Sequence, residues 1–217
     1  MVSASDSLPR YQRSVDGIVL PIRIGNHVAL DFCNTRAGWG SAQPVEYLTT
    51  YAHLVVSARE AGLVSGVTAG QLLEMAQRDP AGATRVLERA RALRDALYAA
   101  CTDSAAASAW EAVTAEARIA AASSRLDPAA PAGARWLVSD GAGLDLPVLE
   151  LARSGGDFLA TADLAHVRRC PGTGCGWLFL DPRGRRRWCT MAVCGNRAKA
   201  RRHAERARHA RDAKGRR

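Results

Sequence analysis

Four of the six cysteines in this 217-residue chain fall close together, as Cys170-x4-Cys175-x13-Cys189-x4-Cys194. Two close pairs joined by a short insert supply two knuckles that close a tetrahedral zinc site. Four thiolates leave no position for water, so such a metal holds a fold and performs no hydrolysis. Zinc stabilises the deprotonated sulfur, which lets thiols with an ordinary pKa of about 8.5 serve as ligands at neutral pH. The competing readings are four ordinary buried thiols, or two disulfides in a secreted protein. Met1–Asp16 is polar and lacks the apolar core of a secretory signal, and no run of about 18 apolar residues exists to span a membrane. A cytoplasmic, reducing setting is therefore expected, which favours metal binding over disulfides. Cys33 and Cys101 lack close partners and lie in apolar segments, as small core residues do. His27, His53, His166, His203 and His209 have no ligand-like spacing, so no second metal is expected.

The insert must fold back for the pairs to meet. Trp177–Leu180 reads as a short strand, Asp181-Pro182-Arg183-Gly184 as a type I turn, and Arg185–Trp188 as a returning strand. The hairpin so formed carries Cys189 to the first knuckle, and Asn196 is placed to cap a following helix. Trp177, Phe179 and Trp188 are expected to be the small core of this treble-clef-like module.

Charge separates the ends of the chain. Leu180–Arg217 carries 14 basic and three acidic residues, a net of +11, which leaves 16 basic and 18 acidic residues, a net of −2, for residues 1–179. Cations this dense repel one another and are stabilised by a polyanion, with counterion release supplying salt-dependent affinity. The segment has none of the interleaved exposed aromatics that stack single-stranded bases, which tilts the reading towards duplex DNA, although zinc modules that bind RNA share this chemistry.

Ahead of the cysteines the chain reads as mainly α with a small β component. Residues 1–16 are expected to be disordered. Gly17–Ile24 reads as a strand, and His27–Thr35, with apolar Val28, Leu30 and Phe32 alternating, suits its hairpin partner better than a helix, although the segment is short enough to be either. Helices are expected over Val45–Ala61, over Ala69–Arg78 with Thr68 as cap, from Ala81 to about Cys101, over Ala106–Ala122 and over Asp145–Leu159. Arg135–Ser139 reads as a strand that joins the early pair, and 127–134 as an internal loop. The division is a helical domain over 17–163 that folds by itself, followed by a zinc finger and basic helix over 164–217.

The run Arg187-Trp-Cys-Thr-Met-Ala-Val-Cys-Gly-Asn-Arg-Ala-Lys199 resembles the signature of the CGNR zinc-finger proteins. Ala29-Leu-Asp-Phe-Cys-Asn-Thr35 is similar to the motif that opens the ABATE domain preceding that finger. The resemblance implies a bacterial, stress-induced transcription regulator that binds double-stranded DNA through the finger. Its zinc ligands map onto Cys170, Cys175, Cys189 and Cys194, and its basic hairpin onto Arg183, Arg185, Arg186 and Arg187. Arg197, Lys199, Arg201 and Arg202 on the helix complete the expected DNA surface. The near-neutral N-terminal domain has two open roles, a small-molecule effector pocket and a homodimer interface. Asp31, Asn34, Arg36, Trp39 and Trp136 are the groups expected near such a pocket. The competing reading leaves Asp31 and Asn34 only to satisfy backbone groups. A different class, an RNA-binding or scaffold protein with a structural zinc module, also fits the charge. No nucleophile elbow, phosphate loop, dinucleotide fingerprint or His-Glu metal motif is present, so catalysis is not expected.

Overall fold

The computed structural model describes residues 11–129 and 133–215. Strands Gln12–Val15 (β1) and Ile18–Pro21 (β2) pair antiparallel, with Val15 opposite Ile18. Their link, Asp16-Gly17, has φ of 51° and 77°. Two consecutive left-handed residues make the two-residue turn whose twist matches paired strands. The expected disorder of 1–16 therefore fails from Gln12 onward, while residues 1–10 lie outside the described residues.

The partner expected for the early strand is instead a helix, Val28–Cys33 (α1). Ala29, Leu30, Phe32 and Cys33 are its buried residues, a helical stripe hidden in the alternation of Val28, Leu30 and Phe32. His27 caps it, Nδ1 accepting from the Ala29 N–H at 3.1 Å. Asp31 Oδ1 accepts from the Ile24 and Gly25 N–H groups at 2.9 and 2.7 Å and so fixes the approach of the chain. A short ladder, Arg36–Ala37 (β3) with Val45–Glu46 (β4), replaces the first turns of the helix expected from Val45.

The bundle follows as Tyr51–Glu60 (α2), Gly66–Arg78 (α3), Pro80–Thr102 (α4) and Ala107–Ala122 (α5). Ser65, three residues before the expected cap, accepts from the Thr68 N–H, and Asp79 caps α4 ahead of Pro80. Ser124–Ala129 (β5) and Gly133–Val138 (β6) then pair with each other, not with the early strands, so that much of the expected loop 127–134 is strand. Leu146–Thr161 (α6) passes through the centre of the bundle and buries ten of its 16 residues, as many as the longer α4. Gly155 lets α6 approach α4, since a Cβ there would stand 3.2 Å from Leu97 Cδ2.

Val167–Arg169 (β7) and Leu178–Leu180 (β8) form the last ladder, and Asn196–Gly215 (α7) is the basic helix. The chain is thus mainly helical with four two-stranded ladders among the described residues. The helical core, built from α1, α2, α4 and α6, includes fully buried Leu178, while Phe179 packs with Trp177 and the cysteines in a second core that also contains Tyr47. Leu178 from the segment beyond 163 thus packs in the core of the helical region.

Two outcomes follow. A chain ending at Asp163 loses Leu178 from its core and the partners of Asn34 and Tyr98; it should melt without a cooperative transition and bind a hydrophobic dye, whereas a sharp calorimetric transition would restore the separable domain. Burial lowers the His27 pKa below 6.5, although Asp31 and Asp157 oppose the shift. The unfolded state then takes up the proton more readily, so this contribution is complete above pH 6.5 and declines as the pH falls through that value. His27→Asn, which keeps a capping acceptor, should show a smaller fall in Tm between neutral and mildly acidic pH; identical slopes would disprove the assignment.

Candidate metal centre and nucleic-acid surface

The first cysteine pair is set by the β7–β8 ladder. Arg168 lies opposite Phe179, and beyond it the Cys170 N–H donates to the Trp177 carbonyl at 2.8 Å. The loop between closes with Cys175 N–H to Gly172 carbonyl at 2.8 Å. This corrects the hairpin expected over 177–188. The other edge of β8 is already occupied: Asn34 Nδ2 donates to the Leu178 carbonyl, its Oδ1 accepts from the Leu178 N–H, both at 2.8 Å, and Leu180 N–H reaches the Gly25 carbonyl at 2.9 Å. With both edges taken, 185–188 cannot pair there and folds as a loop. Asp181, in the expected turn, organises it by accepting from the Arg185 and Arg186 N–H groups at 3.1 and 2.9 Å.

The second pair is delivered by a wide turn. Thr190 Oγ1 accepts from the Ala192 N–H, and Met191–Gly195 form one π-helical turn that runs directly into α7. Asn196 is not the cap; its backbone is already helical and its Nδ2 donates back to the Ala192 carbonyl. Knuckle, ladder and helix give the treble-clef order, with the ladder on the N-terminal side of the loop.

The Sγ atoms of Cys170, Cys175, Cys189 and Cys194 all lie within 4.8 Å of one another. Cys175 and Cys189 are 3.8 Å apart, and Cys189 and Cys194 3.5 Å. Tetrahedral zinc with Zn–S bonds of about 2.3 Å needs sulfurs about 3.8 Å apart. Hydrogen bonds, first from Cys175, lower the Cys170 pKa, and Cys170 in turn raises those of Cys175 and Cys189. Sulfurs this close cannot all carry charge without a cation among them, and a soft, all-thiolate set selects zinc. No position is left for a substrate. Cys33 and Cys101 are different: burial raises both pKa values, to about 12 for Cys101, and both remain inert free thiols.

Arg183, Arg185, Arg187, Arg197, Lys199, Arg201 and Arg202 are exposed around this centre. Arg201 is partly engaged, with Nη1 donating to Thr173 Oγ1 at 2.7 Å and Nε 3.6 Å from Glu205. Arg197 lies over the Tyr11 ring and Arg187 over Trp188. Arg186 is set apart from the rest. Its guanidinium covers Phe179 at 4.3 Å and Nη2 donates to the Cys189 and Ile24 carbonyls at 2.7 and 3.1 Å. Sequence reasoning placed it with the other cations, and only the loop made by Asp181 turns it inward. Sequence reasoning also passed over Arg168, exposed on β7, and Tyr11 and Tyr47, which reach the finger from distant segments.

The residues expected to line an effector pocket are not gathered into one. Asp31 and Asn34 satisfy backbone groups, as the competing reading holds. Arg36 pairs with Asp95 at 3.0 Å and lies over Trp39. Trp39 stacks on Tyr98 with centroids 3.7 Å apart, and its backbone N–H donates to the Cys175 carbonyl. Here the helices meet the finger: Tyr98 Oη donates to the Gly176 carbonyl at 2.7 Å and Trp177 Nε1 to the Arg36 carbonyl at 3.1 Å. Gly176, at φ 72°, passes so close that a Cβ would stand 2.7 Å from Trp39 Cβ. Trp136, half exposed on β6, borders a separate cleft.

Freshly purified protein should contain about one zinc per chain, and a chelator should lower the single melting transition of the whole chain because β8 belongs to both cores. Cys189→Ser should lose most of the metal; full occupancy in that variant, or a melting curve indifferent to the chelator, would contradict the site.

Two family models match the chain. The model described as "CGNR zinc finger" covers residues 166–207, enclosing all four cysteines and the first part of α7. The ABATE model, described as "Putative stress-induced transcription regulator", covers residues 26–162, from the turn before α1 to the end of α6. Among curated proteins no match is found. Matched over well over half of its length and carrying the zinc-binding thiols where the finger requires them, the chain belongs to the ABATE family, with a C-terminal CGNR zinc finger.

Proposed function

We propose that this protein is a transcription regulator that binds double-stranded DNA through the cationic face of its zinc finger. The observation that carries the reading is the division among the arginines. Arg186 spends its charge on internal carbonyls, while Arg183, Arg185, Arg187, Arg197, Lys199 and Arg202 stand exposed and, among the described residues, unpaired with any carboxylate. Such a surface gains by displacing counterions from a phosphate backbone. Trp177 and Phe179 are buried, which leaves little aromatic surface for stacking unpaired bases and favours duplex over single strands. Zinc held by four thiolates supplies rigidity rather than reactivity, so the activity is binding and not catalysis. The cytoplasm, where thiols stay reduced, suits such a site. The helical domain supplies regulation, through an effector or through self-association.

Arg197 is three residues beyond the last metal ligand, so little entropy is lost when it binds, and it is the best-placed side chain for a specific contact. Arg197→Ala should cost roughly 1 to 3 kcal/mol on the preferred site and reduce sequence discrimination. Arg208→Ala, farther along α7, should weaken all duplexes alike and flatten the salt dependence. Arg186→Ala should instead lower stability and metal retention. Titrations on a selected site, unrelated duplex and matched RNA, at two salt concentrations, check all three; unchanged DNA affinity for zinc-loaded Arg197→Ala, or preference for RNA, would overturn the assignment.

A further inference from the structure

A notch of about 200 Å³ opens on the finger, between the loop that joins Cys170 to Cys175 and the first turns of α7. Pro171 and Trp188 form its apolar border, Thr173, Arg197 and Arg201 its polar one, and none of its lining residues is acidic. The floor is rigid. Gly172 is pressed against the metal centre, where a Cβ would stand 2.9 Å from Cys194 Sγ, and its carbonyl accepts from the Cys175 N–H. Thr173 is thereby held beside α7, and its Oγ1 accepts from Arg201 Nη1 at 2.7 Å. A hydroxyl that accepts from an arginine keeps its own proton to donate elsewhere. Arg197 and Arg201, four residues apart, share one row of the helix. Glu205 stands 3.6 Å from Arg201 Nε in an exposed pair, which neutralises little. Arg197 meets no carboxylate among the described residues, and Arg187, its Cζ 5.3 Å from the half-buried Trp188 ring, adds positive charge beside the notch.

We infer that this notch seats one phosphodiester of the DNA backbone, its anionic oxygens accepting from the Thr173 hydroxyl and the Arg201 guanidinium and its deoxyribose lying against Trp188 and Pro171. Each part of the notch answers a part of that group. The Thr173 proton and the arginines call for an anion, and a forked guanidinium beside a hydroxyl matches the geometry of a phosphate. The apolar border calls for an uncharged ring attached to that anion, which a free inorganic ion lacks. The inference rests on the DNA-binding reading and adds a point of register to it: a phosphate held by a loop that the metal fixes sets where α7 lies along the duplex.

The test uses the full-length, zinc-loaded chain and a duplex selected for binding, in which neutral methylphosphonate replaces one phosphate at a time. One position should stand out, with affinity lowered about tenfold by loss of the charge-assisted hydrogen bonds. Thr173→Val keeps the shape of the side chain and removes the hydroxyl, while Arg201→Gln removes the charge. Both should weaken the unmodified duplex, Arg201→Gln by about tenfold, and both should lose most of the extra penalty at that one position while the penalties elsewhere persist. Trp188→Leu should weaken modified and unmodified duplexes by the same factor, since it removes the sugar contact and leaves the anion's donors; unaltered affinity would overturn that contact. Unchanged circular dichroism and zinc content establish that the variants are folded. A flat scan, or a prominent position whose penalty survives in both Thr173→Val and Arg201→Gln, would overturn the clamp and leave duplex binding standing. Failure to bind any duplex would overturn the DNA reading and the clamp with it. Saturable binding of inorganic phosphate that Arg201→Gln abolishes, combined with a flat scan, would make the notch a site for a free anion and also overturn the inference.

Discussion

Leu178–Leu180 is a strand of three residues on which two cores depend. Alternation sends Leu178 and Leu180 to one side, among α1, α4 and α6, and Phe179 to the other, among the cysteines and Trp177. Its backbone is divided in the same way. The ladder to β7 takes one edge, while Asn34 and the Gly25 carbonyl take the other. So short a strand is not stable alone. It persists because metal ligands bracket it along the chain and because every polar group on its two edges has somewhere to go.

The finger has little apolar material of its own. Trp177, Phe179 and Val193, with the cysteine side chains, are nearly its entire buried set, and Tyr47 is contributed from the domain before it. Zinc affinity, on the order of 10 kcal/mol for small structural sites, stands in for the missing core. The same economy explains Arg186. Its guanidinium lies on the Phe179 ring and satisfies carbonyls that would otherwise face the gap between finger and domain, so an arginine serves where a larger protein would place an apolar side chain.

The ligand set was legible in the sequence because pair spacing is a local property and tetrahedral closure tolerates only a few spacings. The long helices α3, α4, α5 and α6 were legible for a similar reason, since their apolar period repeats over several turns. The errors fall where a distant segment decides. His27–Thr35 alternates like a strand, and only the burial of Ala29 and Cys33 on a second face makes it a helix. The loop 185–188 alternates as well, but the ladder edge it needs is filled by a side chain 144 residues away in sequence. Asp16-Gly17 is a hairpin signal lying inside a segment that reads as too polar to fold. Asn34, part of the motif that resembles the ABATE domain, carries no local sign that its partner is a backbone group of the finger.

That partnership has a consequence of its own. The Asn34 amide offers one donor and one acceptor at the spacing of a peptide group, and Leu178 receives both at 2.8 Å. A neighbouring strand can slip by two residues and recover its hydrogen bonds, whereas a single side chain has only one address. The seating of β8 is therefore indexed rather than graded: it is right or it is lost. Because β8 leads through the Asp181 loop into the turn that launches α7, the heading of the basic helix is set by an amide in the opposite end of the chain. Lengthening the loop after Asp181 would swing that helix, while lengthening the chain between Cys175 and Leu178 would unseat it.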